Sequence, residues 1–471
     1  MRPMTLEQVA RATGGRLHVG AATAPTVIDS VATDTRTLPT GSGVLFVALR
    51  GERFDGHDHA AAAADAGVSA LLVSRDVDAA VPQVVVADTA RALAAFAASM
   101  QRDRNARVVA ITGSNGKTSV KTLVRSILQG VGKAYANPGN RNNEIGLPLA
   151  VIDAPDDARF AVYEMGAGKP GDIAYLTAVV RPDVALVNNV APAHLERMGS
   201  LLNVADTKAA VYDALAPEGV AVINADDAFA PYFAERAHGR RLIRFGLEAS
   251  HDVGARDIAV TGAGTRFLLA TPAGDAPVEL AMPGRHNVRN ALAAASMALG
   301  LGIGLDAIAR GLAAARVVAG RLATHRLASG AVLIDDSYNA NPGSLAAAID
   351  TVAETAGEGW LVLGDMRELG DDAEAMHAEA GRRAKAAGIK RLFALGPLSA
   401  AAADAFGEGG QAFETHAEVV DALRAGLADG VRVVVKGSRG SAMDRVVAAL
   451  LADDAGRRDA GPGNQGDDDA A

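Results

Sequence analysis

Val108-Val-Ala-Ile-Thr-Gly-Ser-Asn-Gly-Lys-Thr118 joins an apolar run of strand character to a short turn and then to a Lys-Thr pair. Beyond it Val120, Leu123, Val124, Ile127 and Leu128 recur at helical spacing, so the turn opens an amphipathic helix. Strand, glycine turn and helix N-terminus together make an anion cradle. Backbone N–H groups and the positive end of the helix dipole point at a phosphate, Lys117 reaches its terminal oxygens, and Thr118 can ligate Mg²⁺. Gly113, Ser114, Asn115 and Gly116 form the loop, and its glycines keep the backbone free of side chains where phosphate approaches. Where the common phosphate loop has its first glycine this chain has Ile111, so the setting between strand and helix carries the reading more than the Gly-Lys-Thr tripeptide does.

Around this loop the chain has room for about three domains, at 471 residues. A net charge of −9 argues against general nucleic-acid or anionic-membrane binding, while leaving room for a local basic pocket. The absence of cysteine excludes disulfides, cysteine zinc sites and thioester chemistry, so any acyl activation uses another leaving group. The N-terminus lacks an apolar signal core, and no run approaches the roughly 18 apolar residues of a membrane span. The expectation is a cytoplasmic protein, by default a monomer.

Residues 1–86 read as a small α/β unit, with strands at Val44–Leu49, Ala70–Val73 and Val84–Val86 and a helix near His59–Ala66. Asp34-Thr-Arg36 and Arg50-Gly-Glu-Arg-Phe-Asp-Gly-His57 are polar loops, and a helical Thr89–Met100 stretch leads to the phosphate loop. Residues 87–317 alternate strand and helix, which predicts a mostly parallel sheet with strands at Ala161–Met165, Ala185–Asn189 and Val220–Ile223. Glu164 then lies at a strand end, where α/β sheets place ligands; it is a candidate Mg²⁺ ligand or a capping acid. His194 is a loop histidine, and Lys208 by spacing alone is a helix-surface lysine. Asn287, ahead of the helix Ala291–Leu299, caps that helix or offers its amide to a nucleotide base.

Residues 318–452 alternate again, with strands at Ala331–Ile334, Trp360–Leu363, Arg391–Leu395 and Val431–Val435. Three polar loops, Asp335-Asp-Ser-Tyr-Asn-Ala-Asn-Pro342, Gly364-Asp-Met-Arg-Glu368 and Lys436-Gly-Ser-Arg439, fall at one sheet edge and predict a binding face. Residues 453–471 have no apolar period and read as a disordered tail.

Thr112-Gly-Ser-Asn-Gly-Lys-Thr118, Glu164-Met-Gly-Ala167, Ala193-His194, Arg285-His-Asn-Val-Arg-Asn290, Gly320-Arg321 and Asp335-Asp-Ser-Tyr-Asn-Ala-Asn-Pro342 together resemble, in order and spacing, the Mur ligases of bacterial cell-wall synthesis. The resemblance implies three domains: a small α/β unit that binds uridine diphosphate, a central phosphate-loop ATPase, and a Rossmann-like C-terminal domain. The Asp-Ser-Tyr-Asn-Ala-Asn-Pro form and the loop Glu164-Met-Gly-Ala167 resemble the member that joins D-alanyl-D-alanine to UDP-N-acetylmuramoyl-tripeptide, with ATP and two Mg²⁺ ions, and the Asp-Asn-Pro-Arg signature expected of the ligase that adds the third residue is absent. In that pattern Lys117 and Thr118 hold ATP phosphates and Mg²⁺, and Glu164 and His194 serve the metal sites. Lys208 falls where the family carries a carbamylated lysine. Asn287, Asn290, Arg321 and Asp336 meet the nucleotide, Asp34, Thr35 and Arg36 contribute to the uridine diphosphate site, and Asn339 and Asn341 face the dipeptide or hold a turn. The competing readings are another Mur ligase, a folylpolyglutamate synthetase-type ligase, and a phosphate-loop protein that uses nucleotide only as a switch.

Overall fold

The computed structural model describes residues 1–19, 25–41, 43–192, 194–261 and 264–459. Its central element is a six-stranded, wholly parallel sheet in the order Arg241–Phe245, Val220–Asn224, Val184–Val187, Arg107–Thr112, Phe160–Glu164, Ala134–Ala136. These strands are continuous apolar runs because both faces are covered. Alternate residues go to opposite sides: Val108 and Ala110 join one core, Val109 and Ile111 the other. The register pairs Glu164 with Ile111 and Val187 with Thr112, so the loops after three neighbouring strands emerge at one edge.

The first sheet has five strands, Arg16–His18, Gln83–Val85, Ala70–Val73, Val44–Val47 and Ser30–Ala32, parallel except for the first. One of its faces shares a single core with the central sheet. Leu45, Leu72 and Val84 belong to the same buried cluster as Ala110, Tyr163 and Val187, bridged by Phe96 and Ala97 of the helix Thr89–Arg102. The third sheet runs Ala323–Arg326, Val332–Asp336, Val431–Lys436, Glu358–Gly364, Arg391–Leu395, Gly410–Phe413, parallel but for its first strand. It has a separate core on each face, and neither contains residues of the other two sheets.

Three expectations are corrected. Residues 254–280 form a three-stranded antiparallel sheet, Gly254–Thr261, Gly264–Thr271 and Gly274–Leu280, where strand and helix alternation was expected. Its period-two pattern buries Phe267, Leu269, Val278 and Leu280 against the central domain and turns Arg266 and Glu279 outward. The helix expected at Ala291–Leu299 starts at Arg285, with Gly284 as its N-cap, so Asn287 lies inside the first turn and does not cap it. The chain is still helical beyond residue 452: the helix Asp444–Asp459 is anchored by buried Val446, Val447 and Leu450, and Arg424 donates to Asp453 at 2.6 Å. Residues 460–471 of the expected tail lie outside the described residues.

The phosphate-loop helix, Lys117–Gln129, is clamped from behind by Leu305–Ala314. An added Cβ at Gly311 would stand 2.3 Å from the Ile127 Cα, and the Gly311 carbonyl accepts from Ser126 Oγ at 2.7 Å. Gly311→Ala therefore overpacks a backbone contact and should cost about 1–3 kcal/mol. A thermal midpoint equal to that of the wild type would contradict this close approach.

Candidate active site

Gly116 sits at the helix N-terminus with φ 78, and no side chain caps the helix, so its first N–H groups stay open to an anion. Added Cβ atoms at Gly116 would meet Asn188 Nδ2 and Asn290 Oδ1, each at 2.5 Å, so the loop admits only glycine there. Asparagines hold the loop from behind. Ser114 N donates to Asn189 O at 2.9 Å, Asn115 N to Asn189 Oδ1 at 2.8 Å, and Asn188 Nδ2 to Asn115 O at 2.9 Å. Asn188 Nδ2 also donates to Asn290 Oδ1 at 3.2 Å, whose own amide donates to Asn287 Oδ1 at 3.2 Å. The two helix asparagines thus brace the loop from the central domain. Lys117 Nζ donates to the carbonyls of Gly113 at 2.7 Å and Ser114 at 3.2 Å, and desolvation in the cleft lowers its pKa despite Glu164 nearby.

Glu164 is 2% exposed and fully engaged. Its Oε2 accepts from Thr118 Oγ1 at 2.9 Å and lies 3.0 Å from Lys121 Nζ, while Oε1 accepts from Asn142 Nδ2 at 2.9 Å. Burial pushes its pKa up, and the charges of Lys121 and Lys117 with the Lys121 and Thr118 hydrogen bonds outweigh that, leaving it lowered. Glu164 is therefore an ionised acid beside the phosphate loop. Thr118 and Glu164 are hard oxygen donors at the right spacing for Mg²⁺, which takes its remaining ligands from phosphate and water. Among the described residues no group of three or more His, Cys, Asp or Glu is placed to hold a metal ion.

Lys208 overturns the surface reading. It lies on the buried face of the helix Leu201–Asp213, 2% exposed, with no hydrogen-bond or ion-pair partner among the described residues. Burial, reinforced by the Lys117 charge, pulls its pKa down to about 7. His194 caps the short helix Leu195–Met198 from a left-handed backbone, φ 55, and its Nδ1 contacts Glu368 Oε2 of the third domain. Desolvation lowers the His194 pKa, although Glu368 opposes it.

The third domain closes the other wall of an open cavity of about 700 Å³. Arg321 stacks its guanidinium 4.3 Å from the Tyr338 ring centroid, on a turn where Gly320 has φ 73 and donates to Asp335 Oδ2 at 3.0 Å. Asp336 accepts from Lys436 Nζ at 2.6 Å; the two are register partners on parallel strands. Burial nonetheless raises the Asp336 pKa. Asn339 accepts from Arg439 N at 3.4 Å through its side chain. Asn341 caps the helix Pro342–Ala353 and also donates to Asn115 Oδ1 at 2.7 Å, tying the third domain to the phosphate loop.

The cavity gathers Lys117, Glu164, His194, Lys208, Arg321 and Asp336, together with Asn287, Asn290, Asn339 and Asn341. It does not include Asp34, Thr35 or Arg36. Asp34 caps the turn Thr35–Thr37 and is bound by Arg36, with Arg36 Nη2 donating at 2.6 Å; that bond, foremost, lowers the Asp34 pKa to about 2.

Three segments match known families: residues 27–101 the Mur ligase family catalytic domain, 111–298 the Mur ligase middle domain, and 320–439 the Mur ligase glutamate ligase domain. Over 453 residues, 96% of this chain and 99% of the relative, it is 44% identical to the UDP-N-acetylmuramoyl-tripeptide–D-alanyl-D-alanine ligase of Escherichia coli K12. The chain belongs to the Mur ligase family. Among solved Mur ligases, MurF from Acinetobacter baumannii superposes with a TM-score of 0.89 at 33% identity, covering 96% of this chain and 99% of that one. MurF from Thermotoga maritima in complex with ADP gives 0.82 at 26% identity, covering 91% and 98%.

Several residues of this Mur ligase site escaped the sequence reading. Lys121, 6% exposed, donates to the carbonyls of Asn137 at 3.0 Å and Gly139 at 3.2 Å as well as facing Glu164. It falls one turn after Lys117, on the face that a helical pattern assigns to core. His286 is held against Thr351 of the third domain at 3.5 Å, and burial, with Arg289 and Lys436 nearby, lowers its pKa to about 4. Tyr338, Glu368 and Lys436 lie in the quoted loops, and only the tertiary arrangement distinguishes them from other polar loop residues; Asn142 lies in a stretch that carried no motif.

Lys208 gives the site a pH signature. Its folded pKa of about 7 lies below the ordinary 10.5, so between these values the unfolded chain binds a proton that the folded chain has released. Stability then gains as pH rises through this window, and the burial penalty is complete below about pH 7. Lys208→Met carries no such charge. In bicarbonate-free buffer its thermal midpoint should exceed the wild-type value most at pH 6, with the gap shrinking by pH 9; a gap independent of pH would contradict the burial of an unpaired amine.

Proposed function

We propose that this chain is an ATP-dependent peptide ligase that joins D-alanyl-D-alanine to UDP-N-acetylmuramoyl-tripeptide, giving the UDP-linked pentapeptide precursor of peptidoglycan. The observation that supports this best is the shared cavity, where the open phosphate loop of one domain faces Arg321, Asp336 and Asn341 of another. A nucleotide switch needs no second domain poised over the terminal phosphate.

A carboxylate is a poor acyl donor because attack by an amine would have to expel oxide. Transfer of the ATP γ-phosphoryl group to the tripeptide carboxylate gives an acyl phosphate, and the dipeptide amine then displaces phosphate through a tetrahedral intermediate, losing a proton. The obstacle is the meeting of two anions. Lys117 and the loop N–H groups hold the phosphates, and Arg321 faces them from the third domain. Mg²⁺ held by Thr118 and Glu164 would supply further neutralisation of this charge. Asp336, fixed by Lys436, and Asn290, fixed by Asn287, line the same cavity, and the family resemblance gives them to the nucleotide.

Lys208 acts in this scheme as its carbamate. An amine with a pKa of about 7 is substantially neutral at physiological pH and can add to CO₂ with loss of a proton. The product replaces a buried amine that has no partner among the described residues with a carboxylate that, with His194, would hold a second Mg²⁺. Protein incubated with ¹³C-bicarbonate should show a carbamate carbon resonance that Lys208→Ala lacks; identical spectra would remove the modification.

The reaction itself is tested by phosphate release from ATP and Mg²⁺ with UDP-N-acetylmuramoyl-tripeptide, comparing D-alanyl-D-alanine, meso-diaminopimelate, L-glutamate and no amine, with mass detection of product. Turnover with the dipeptide alone, yielding the pentapeptide, is expected, and Lys117→Ala should abolish it while remaining folded. Turnover with another amine would move the substrate assignment, and amine-independent hydrolysis would favour the switch.

A further inference from the structure

Glu368 reaches His194 from the opposite side of the cleft, its Oε2 on the imidazole Nδ1. Both residues hold left-handed backbone, φ 64 for Glu368 and φ 55 for His194, a conformation that costs any side chain other than glycine. The loop that carries Glu368 is pinned at each preceding residue. Asp365 Oδ1 accepts from Ser399 N at 2.8 Å and Oγ at 2.9 Å, and the Asp365 carbonyl accepts from Ser438 N at 3.0 Å and Ser441 Oγ at 2.8 Å. Met366 N donates to His377 Nε2 at 2.9 Å, and Arg367 N donates to Ser438 Oγ at 2.8 Å. His377 is wholly buried, and its Nδ1 lies 2.6 Å from the Ala373 carbonyl, which fixes the proton on Nδ1 and leaves Nε2 to accept. Such anchorage aims one exposed carboxylate across a domain boundary.

We propose that Glu368 is a positioning residue that accepts the Nδ1 proton of His194 and leaves Nε2 facing the cavity, so that the metal and phosphate end of the central domain is complete only with the third domain docked. This rests on the metal role given to His194 above. A histidine ligand ordinarily donates its second ring nitrogen to a carboxylate, which sets the tautomer and the ring plane. Here that carboxylate comes from a separate folding core. The consequence is that the ring is correctly oriented only in the closed arrangement, and an open enzyme holds its nucleotide metal less firmly.

The experiment measures manganese(II) bound together with a non-hydrolysable ATP analogue, by electron paramagnetic resonance, in the wild type and in the E368A, E368Q, H194A and H194A/E368A variants. E368A should weaken manganese binding about tenfold, and E368Q, which keeps an acceptor oxygen, about threefold. H194A should weaken it also, and the double variant should be no worse than H194A, because the carboxylate acts only through the ring. Losses that add in the double variant, or unchanged affinity in folded E368A, would overturn the proposal. Should E368A not fold by circular dichroism, unchanged affinity in E368Q would overturn it. Full affinity in H194A would remove the metal role of His194 and the proposal together. Ligation by the wild type is read separately, so its failure would strike the ligase assignment and leave the manganese result interpretable.

Discussion

The structure depends on a loop that must be empty. Gly116 can hold its left-handed turn against the side chains of Asn188 and Asn290 only because it has none of its own. The amides behind it do the work that side chains within the loop cannot do without obstructing phosphate. They fix the carbonyls and leave the helix N–H groups facing the cavity. Asn290 comes from a helix more than a hundred residues further along the chain, and Asn341 of the third domain reaches Asn115 at 2.7 Å. The third domain is therefore in direct contact with the same four-residue loop.

The charge arrangement follows from that constraint. Lys117 and Lys121 both act on one buried carboxylate, Glu164, and only Lys121 pairs with it directly, while buried Lys208 feels the Lys117 charge. A protein interior tolerates such an excess poorly, and the strain appears as lowered lysine pKa values. A bound phosphate would offset it, as would the carbamate proposed for Lys208. An anion bound among these lysines would stabilise the folded protein.

Much of this was legible in the sequence. Parallel strands buried on both faces announce themselves as short apolar runs, and those at Ala70–Val73 and Arg391–Leu395 begin and end where the pattern placed them. The phosphate loop was readable because strand, glycines and helix follow one another directly. What failed were features whose meaning lies elsewhere in the chain. Lys208 has the spacing of a surface residue and is buried because the helix Asp172–Val180 packs over its own helix. Lys121 looks like an interruption of an apolar face until Glu164 and the Asn137 carbonyl are seen opposite it. The antiparallel sheet at 254–280 was missed because alternating patterns in short hairpins are weak beside the strong parallel runs around them. The motif order that resembles the Mur ligases singled out residues that the fold brings into one cavity, where local spacing left them undecided.

The continuous core between the first and second sheets makes those two bodies a calliper. Leu45, Val84 and Ile28 are packed in one hydrophobic mass with Ala110 and Tyr163, so the first domain cannot slide relative to the phosphate loop without breaking that mass apart. A substrate gripped by its nucleotide end on the first sheet would present its far end at a fixed reach. Peptides one residue too short or too long would deliver their carboxylate to the wrong place, and the molecule would sort them by length before any side chain is read.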